Sequence, residues 1–140
     1  MKAAIVYRSR TGTTRRFAEE IGAYLETLGV QAVVTSVGEA DLSVLAGADF
    51  VLLGCWTDGL MVVLQHPDRP WVDFARAIPP LAGPKVALFT TYKVLTGSMF
   101  EKMRHELAGR TGAITLELKS RNGNLSEEHR SALAQFIAER

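Results

Sequence analysis

The sequence predicts an α/β fold of the doubly wound kind, with five parallel strands covered by helices on both faces. Short runs rich in branched apolar residues recur at 3–7, 32–37, 50–54, 86–90 and 113–118. Amphipathic helical patterns alternate with them, which is the order expected of a parallel sheet. The first, third and fourth runs are continuous rather than alternating, as strands buried on both faces read. At 140 residues, 47% of them apolar, the chain has the size of one domain with a real core, expected over residues 1–140.

The first strand, Ala3 to Tyr7, leads into a helix from Thr14 to Leu28 in which Phe17, Ile21, Tyr24, Leu25 and Leu28 fall three and four apart, with Gly29 as its stop. The second strand, Ala32 to Val37, is followed by a connection from Glu39 to Gly47 that has room for a turn or two of helix. After the third strand, Phe50 to Gly54, the run Asp68-Arg69-Pro70 opens a helix with Trp71, Phe74 and Ile78 on one side, ended by Pro79-Pro80. The fourth strand, Val86 to Thr90, precedes Ser98 and Glu101, which read as a capping box for a helix bearing Met99, Phe100, Met103 and Leu107. The fifth strand, Ala113 to Leu118, leads to a last helix near Ser126, with Glu127 and Glu128 in its first turn and Leu133, Phe136 and Ile137 inward.

Several function classes fall away on composition. A net charge of +1 gives no global bias toward nucleic acid or an anionic membrane. No apolar run approaches the ~18 residues of a membrane span. The lone cysteine, Cys55, forms no internal disulfide, and the N-terminus lacks a signal-peptide pattern, so a soluble cytoplasmic protein is expected. Cys55 directly follows a buried strand and reads as a small core residue rather than a redox nucleophile. His66, His105 and His129 lack metal-site spacing. The stretch LMVVLQHPDRPW, 60–71, is suited either to facing a partner or to packing beneath a ligand loop.

Ligands of open α/β sheets sit beyond the carboxyl ends of the strands. The informative segments are therefore SRTGTT (9–14), GCWTDG (54–59) and TTYKVLTGS (90–98). In the first, Ser9, Thr11, Thr13 and Thr14 supply hydroxyls where a helix begins, Gly12 lets the backbone approach closely, and Arg10 adds a charge. A lone threonine turn would serve equally as a helix cap, but this density of hydroxyls suits a phosphate. There is no nucleoside-triphosphate loop, no G-x-G-x-x-G after the first strand, and Met61 stands where a cysteine-to-arginine phosphate cradle would need its arginine. Arg8 and Arg10 replace the acidic residues that a phosphoacceptor receiver would want.

Ser9-Arg10-Thr11-Gly12-Thr13-Thr14 matches the [S/T]-x-T-G-x-T phosphate loop of flavodoxins, and the whole chain resembles a short-chain, flavodoxin-like protein. The resemblance implies sheet order 2-1-3-4-5 and FMN as cofactor. The phosphate would lie on residues 9–14, and the isoalloxazine between Trp56, Thr57, Asp58 and Gly59 on one side and Thr91, Tyr92, Lys93 and Val94 on the other. Flat rings gain stacking and dry surroundings from aromatics, which gives Trp56 and Tyr92 a purpose beyond packing. Two positions depart from the family pattern. Aligned through the glycines, the usual stacking aromatic of the third-strand loop falls at Asp58, and the outer one falls at Val94. Gly59 would permit a tight turn after Asp58. Family carriers are strongly acidic, whereas here Arg8, Arg10, Arg15, Arg16 and Lys93 gather toward the same corner.

The function implied is electron transfer between a reductase and an acceptor protein, with no catalytic residue of the chain's own. Two alternatives stay open. One is a flavodoxin-like oxidoreductase acting directly on a quinone or porphyrinogen-type substrate. The other is a flavin-free binding module of the same fold.

Overall fold

Parallel pairing of five strands builds the sheet. The computed structural model describes residues 1–60 and 63–139. Strands β1 (Lys2–Arg8), β2 (Gln31–Ser36), β3 (Phe50–Trp56), β6 (Lys85–Thr91) and β7 (Ile114–Ser120) lie in the order β2-β1-β3-β6-β7, all parallel. Counted among sheet strands alone, this is the expected 2-1-3-4-5 arrangement. β3 and β6 lie inside the sheet and are buried along almost their whole length, which is why their sequences are continuously apolar.

The two-residue period of each strand divides the core into two layers. Ile5, Leu52 and Phe89 pack with Phe17 and Ile21 of α1 (Thr13–Thr27) and Leu133 and Phe136 of α5 (Glu127–Ala138). Their neighbours Val6, Leu53 and Leu88 pack with Trp71 of α3 (Arg69–Ala77) and Met99 and Met103 of α4 (Met99–Leu107). The short helix α2 (Leu42–Ala46) buries Leu45 and is capped by Asp41, whose side chain accepts from the Ser43 N–H at 3.0 Å. Gly54 has no room for a side chain: a Cβ there would lie within the Phe89 ring, its partner on β6.

Several local expectations are corrected. Leu28 lies past the last turn of α1 as its C-cap and is 40% exposed, so it leaves the apolar face. Ser98 makes no capping bond: its hydroxyl donates to the Gln65 carbonyl at 3.2 Å, and the box with Glu101 does not form. A capping box does form at α5, built from Ser126 and His129. The Ser126 hydroxyl accepts from the His129 N–H at 3.1 Å, and His129 Nδ1 accepts from the Ser126 N–H at 3.0 Å. With Nδ1 accepting, Nε2 is left to donate to the Lys119 carbonyl, 2.8 Å away.

The largest departure follows β3. Residues expected to form a loop instead make an antiparallel hairpin of β4 (Asp58–Leu60) and β5 (Val63–His66), so Asp58 and Gly59 run as strand rather than closing a tight turn. The Met61-Val62 part of the apolar stretch falls outside the described residues. No helix among the described residues is long and apolar enough to cross a membrane.

Candidate functional site: a pocket at the carboxyl edge of the sheet

β1, β3 and β6 end side by side, with Arg8 opposite Cys55 and Trp56 opposite Thr91. The segments that follow them therefore open at one edge, at the point where the strand order reverses and the helices after β1 and β3 lie on opposite faces of the sheet. A cavity of about 490 Å³ lies there, within the usual size of a small-molecule site. Arg10, Thr11, Thr13 and Thr14 line it from the loop after β1 and the first turn of α1, Trp56, Thr57 and Asp58 from the junction of β3 and β4, and Thr91, Tyr92, Lys93 and Val94 from the end of β6 and the loop beyond it. The structure thus gathers eleven of the residues singled out from sequence into one pocket.

The first loop is held in shape by its own side chains. The Gly12 N–H donates to the Ser9 hydroxyl at 3.0 Å, and Gly12 has φ +97°, a left-handed conformation that glycine takes without strain. Ser9 and Gly12 thereby shape the loop rather than line the pocket. Gly12 is also the N-cap of α1, and no side chain caps that helix. The N–H groups of its first turn have no intrahelical acceptor and carry the positive end of the helix dipole. Thr11 and Thr13 add hydroxyls 3.5 Å apart. Unpaired N–H groups, hydroxyls and the positive dipole end are the donors an anion needs.

Thr14 has a different task. Its buried hydroxyl lies 2.6 Å from that of Thr91, while the Thr57 and Thr90 hydroxyls are 2.8 Å apart and Thr90 also donates to the Cys55 carbonyl at 2.6 Å. These bonds tie the three loops to one another at their roots. On the far side, Gly123 (φ +82°) packs against the start of α1, where a Cβ would come within 2.6 Å of the Thr13 carbonyl oxygen.

Trp56 is held from outside the pocket, and Tyr92 by cations at its rim. Trp56 Nε1–H donates to Asp68 Oδ2 at 2.7 Å, and the same oxygen accepts from Arg8 Nε at 2.7 Å. Asp68 Oδ1 accepts from the Trp71 N–H at 3.3 Å and faces the Cys55 thiol at 3.7 Å. Asp68 is 7% exposed, so its charge is balanced by the Arg8 guanidinium rather than by water. Cys55 lies within β3, one residue beyond the strand end expected from sequence, and burial pushes its thiol well above its ordinary value, in keeping with a core residue. At the other wall, Arg121 and Lys119 lie over the Tyr92 ring at 5.6 and 5.9 Å, and an Arg121 N–H reaches the Val94 carbonyl at 3.5 Å.

The basic corner expected from sequence is therefore divided. Arg8 faces Asp68 and Arg15 faces Glu19 at 3.5 Å, whereas Arg10 and Lys93 line the pocket. Asp58 lines it too, with its carboxylate 3.9 Å from His66 Nε2 across the hairpin. Gln65, Leu95 and Arg121 also line the pocket and were not singled out from sequence, nor was Asp68 beyond its place at the start of a helix. Among the described residues no cluster of His, Cys, Asp or Glu is arranged to hold a metal ion.

The sequence profile of the flavodoxin domain matches residues 4–111. Flavodoxin of Megasphaera elsdenii is 32% identical over 109 residues, which is 76% of this chain and 78% of that protein. Flavodoxin of Clostridium beijerinckii is 27% identical over 113 residues, 81% and 80% of the two chains. The solution structure of the two-electron-reduced Megasphaera elsdenii flavodoxin superposes with a TM-score of 0.76 over 99% of each chain, at 20% identity.

Proposed function

The chain belongs to the flavodoxin family, and from that premise we propose that it passes electrons between a reductase and an acceptor protein, using FMN held in the pocket at the carboxyl edge of the sheet. The cofactor of the family is FMN. The observation that carries the reading is that an uncapped helix N-terminus with threonine hydroxyls opens into the same cavity as two aromatic side chains. That pairing suits a phosphate joined to a flat ring.

The first-turn N–H groups and the hydroxyls of Thr11 and Thr13 would hold the phosphate, with Arg10 adding a charge-assisted contact. Trp56 and Tyr92 would flank the ring, and Thr57, Asp58, Thr91, Lys93 and Val94 would complete its surroundings. When bound, FMN supplies the one- and two-electron chemistry. The chain orients it, keeps water from its faces and sets the charge around it. The hydrogen bond from Trp56 to Asp68 fixes the tilt of one wall before any ligand arrives.

The visible spectrum of freshly purified protein tests the premise: a flavin band, with FMN released on denaturation, is expected. Fluorescence-quenching titration of the apoprotein then tests the phosphate corner. Each charge-assisted hydrogen bond to phosphate contributes about 1.5 to 3 kcal/mol, so riboflavin should bind at least tenfold more weakly than FMN. Equal affinities would remove the phosphate from the site.

A further inference from the structure

The mouth of the pocket carries more positive charge than the whole chain. Arg10 lies over Trp56 at 5.2 Å, while Arg121 and Lys119 lie over Tyr92. Exposed Lys93 follows Tyr92 on the same loop, and Asp58 is the carboxylate that lines this cavity. Four cations thus face one carboxylate in a chain whose net charge is +1, which leaves the rest of the surface acidic on balance.

Like Arg16, Lys102 and Arg110, and unlike the arginines that follow, these cations are matched by no carboxylate among the described residues. Arg15, Arg69, Arg76, Arg104 and Arg130 each pair with a glutamate or aspartate. Among the described residues, Arg10, Lys93, Lys119 and Arg121 form no ion pair. Three of them rest over aromatic rings, and such a contact holds a cation in place while leaving its charge unneutralised. Val94, 43% exposed, adds an apolar spot among them. Fixed like charges around a small apolar centre attract a partner of opposite sign and set its orientation. A bound phosphate monoester adds about −1.5 to −2, which together with Asp58 the four cations still exceed.

We propose that the mouth of the pocket docks an electron-exchange partner through an acidic patch on that partner. The polarity is the reverse of that expected for the acidic carriers of the family. The inference rests on the carrier reading above. An anionic protein surface fits better than nucleic acid, because the positive charge is confined to one mouth instead of forming a stripe along the molecule.

The test uses the FMN-loaded protein and two redox-inert paramagnetic probes, hexacyanochromate(III) and tris(ethylenediamine)chromium(III), read as broadening of backbone amide signals. The anionic probe should broaden amides at residue 10, at 92–94 and at 119–121, and the cationic probe should leave them sharp. Salt should weaken the effect. The variant Lys119→Glu with Arg121→Glu should lower the anionic probe's affinity on the order of tenfold, and the milder pair Lys119→Gln with Arg121→Gln should lower it less. Uniform broadening, or stronger broadening by the cationic probe at these amides, overturns the proposal. Tighter binding of oligothymidylate than of poly-L-glutamate at the same amides overturns the assignment to a protein partner. The carrier reading fails separately if the purified protein shows no flavin band and takes up no FMN, because the probe map of the unloaded protein still reads the charged mouth.

Discussion

Asp68 is the residue on which one wall of the pocket depends. Its carboxylate satisfies Trp56, Arg8 and the first turn of α3 together, so the indole that lines the pocket is oriented by a group outside it. Asp68→Ala should leave those donors without their acceptor and cost roughly 2 to 3 kcal/mol, less than for a fully buried pair because Arg8 keeps contact with water. Denaturant unfolding measures that loss, and FMN affinity should fall with it. Arg10 stands in a different position, exposed and resting on the Trp56 ring. Arg10→Ala should weaken FMN binding several-fold and flatten its salt dependence, since screening acts on the charge more than on backbone donors. An unchanged affinity across salt would make Arg10 only a cover for Trp56. Sequence placed Arg10 at the ligand corner because it lies inside the phosphate loop. It gave no sign of Asp68's part in the site, because the carboxylate, the indole and Arg8 meet only once β1 and β3 are paired.

The strands and helices were legible to within a few residues because each keeps one clear period: continuous apolar runs for buried strands and three-four spacing for helices. The hairpin of β4 and β5 was not legible. Leu60 to Leu64 is an unbroken apolar run with no alternation, and Leu64 takes φ +62°, a conformation its β-propensity argues against. Ser98 shows the same limit on a smaller scale, since a capping pattern in sequence lost to a tertiary acceptor, the Gln65 carbonyl. The pairing of β3 with β6 yields a sharp prediction. Gly54 faces Phe89 across that ladder with no space for a methyl group, so Gly54→Ala should overpack the sheet centre and cost about 1 to 3 kcal/mol. The same substitution at Gly47, which has nothing within 4 Å of an added Cβ, should be far milder. Comparing the two denaturation midpoints checks it.

For the whole molecule, sheet order and switch point decide where a ligand sits, and charge distribution decides what approaches it. Sequence gave the position through the order of loops, but the net charge of +1 concealed how unevenly that charge is spread. Two carboxylates also add stability that depends on pH. The Arg76 guanidinium, bonded to Glu106 at 2.7 and 3.1 Å between α3 and α4, holds Glu106 below the ordinary glutamate value, and the Ser43 N–H holds Asp41 below the aspartate value. In both cases the unfolded chain binds protons at a higher pH than the folded one, so stability rises with pH through this range. The contribution is complete above the unfolded values, about 4.3 for glutamate and 3.9 for aspartate, and disappears as pH falls through the depressed folded ones. Glu106→Gln should therefore be less stable than the parent chain at pH 7, and the gap should close as the solution is acidified below about pH 4. Urea midpoints for both proteins at pH 7, 5 and 3 measure this, with the midpoint of the Gln variant changing less with pH. A gap that stayed constant from neutral to acid would mean that packing between α3 and α4, and not the charge on Glu106, carries the difference.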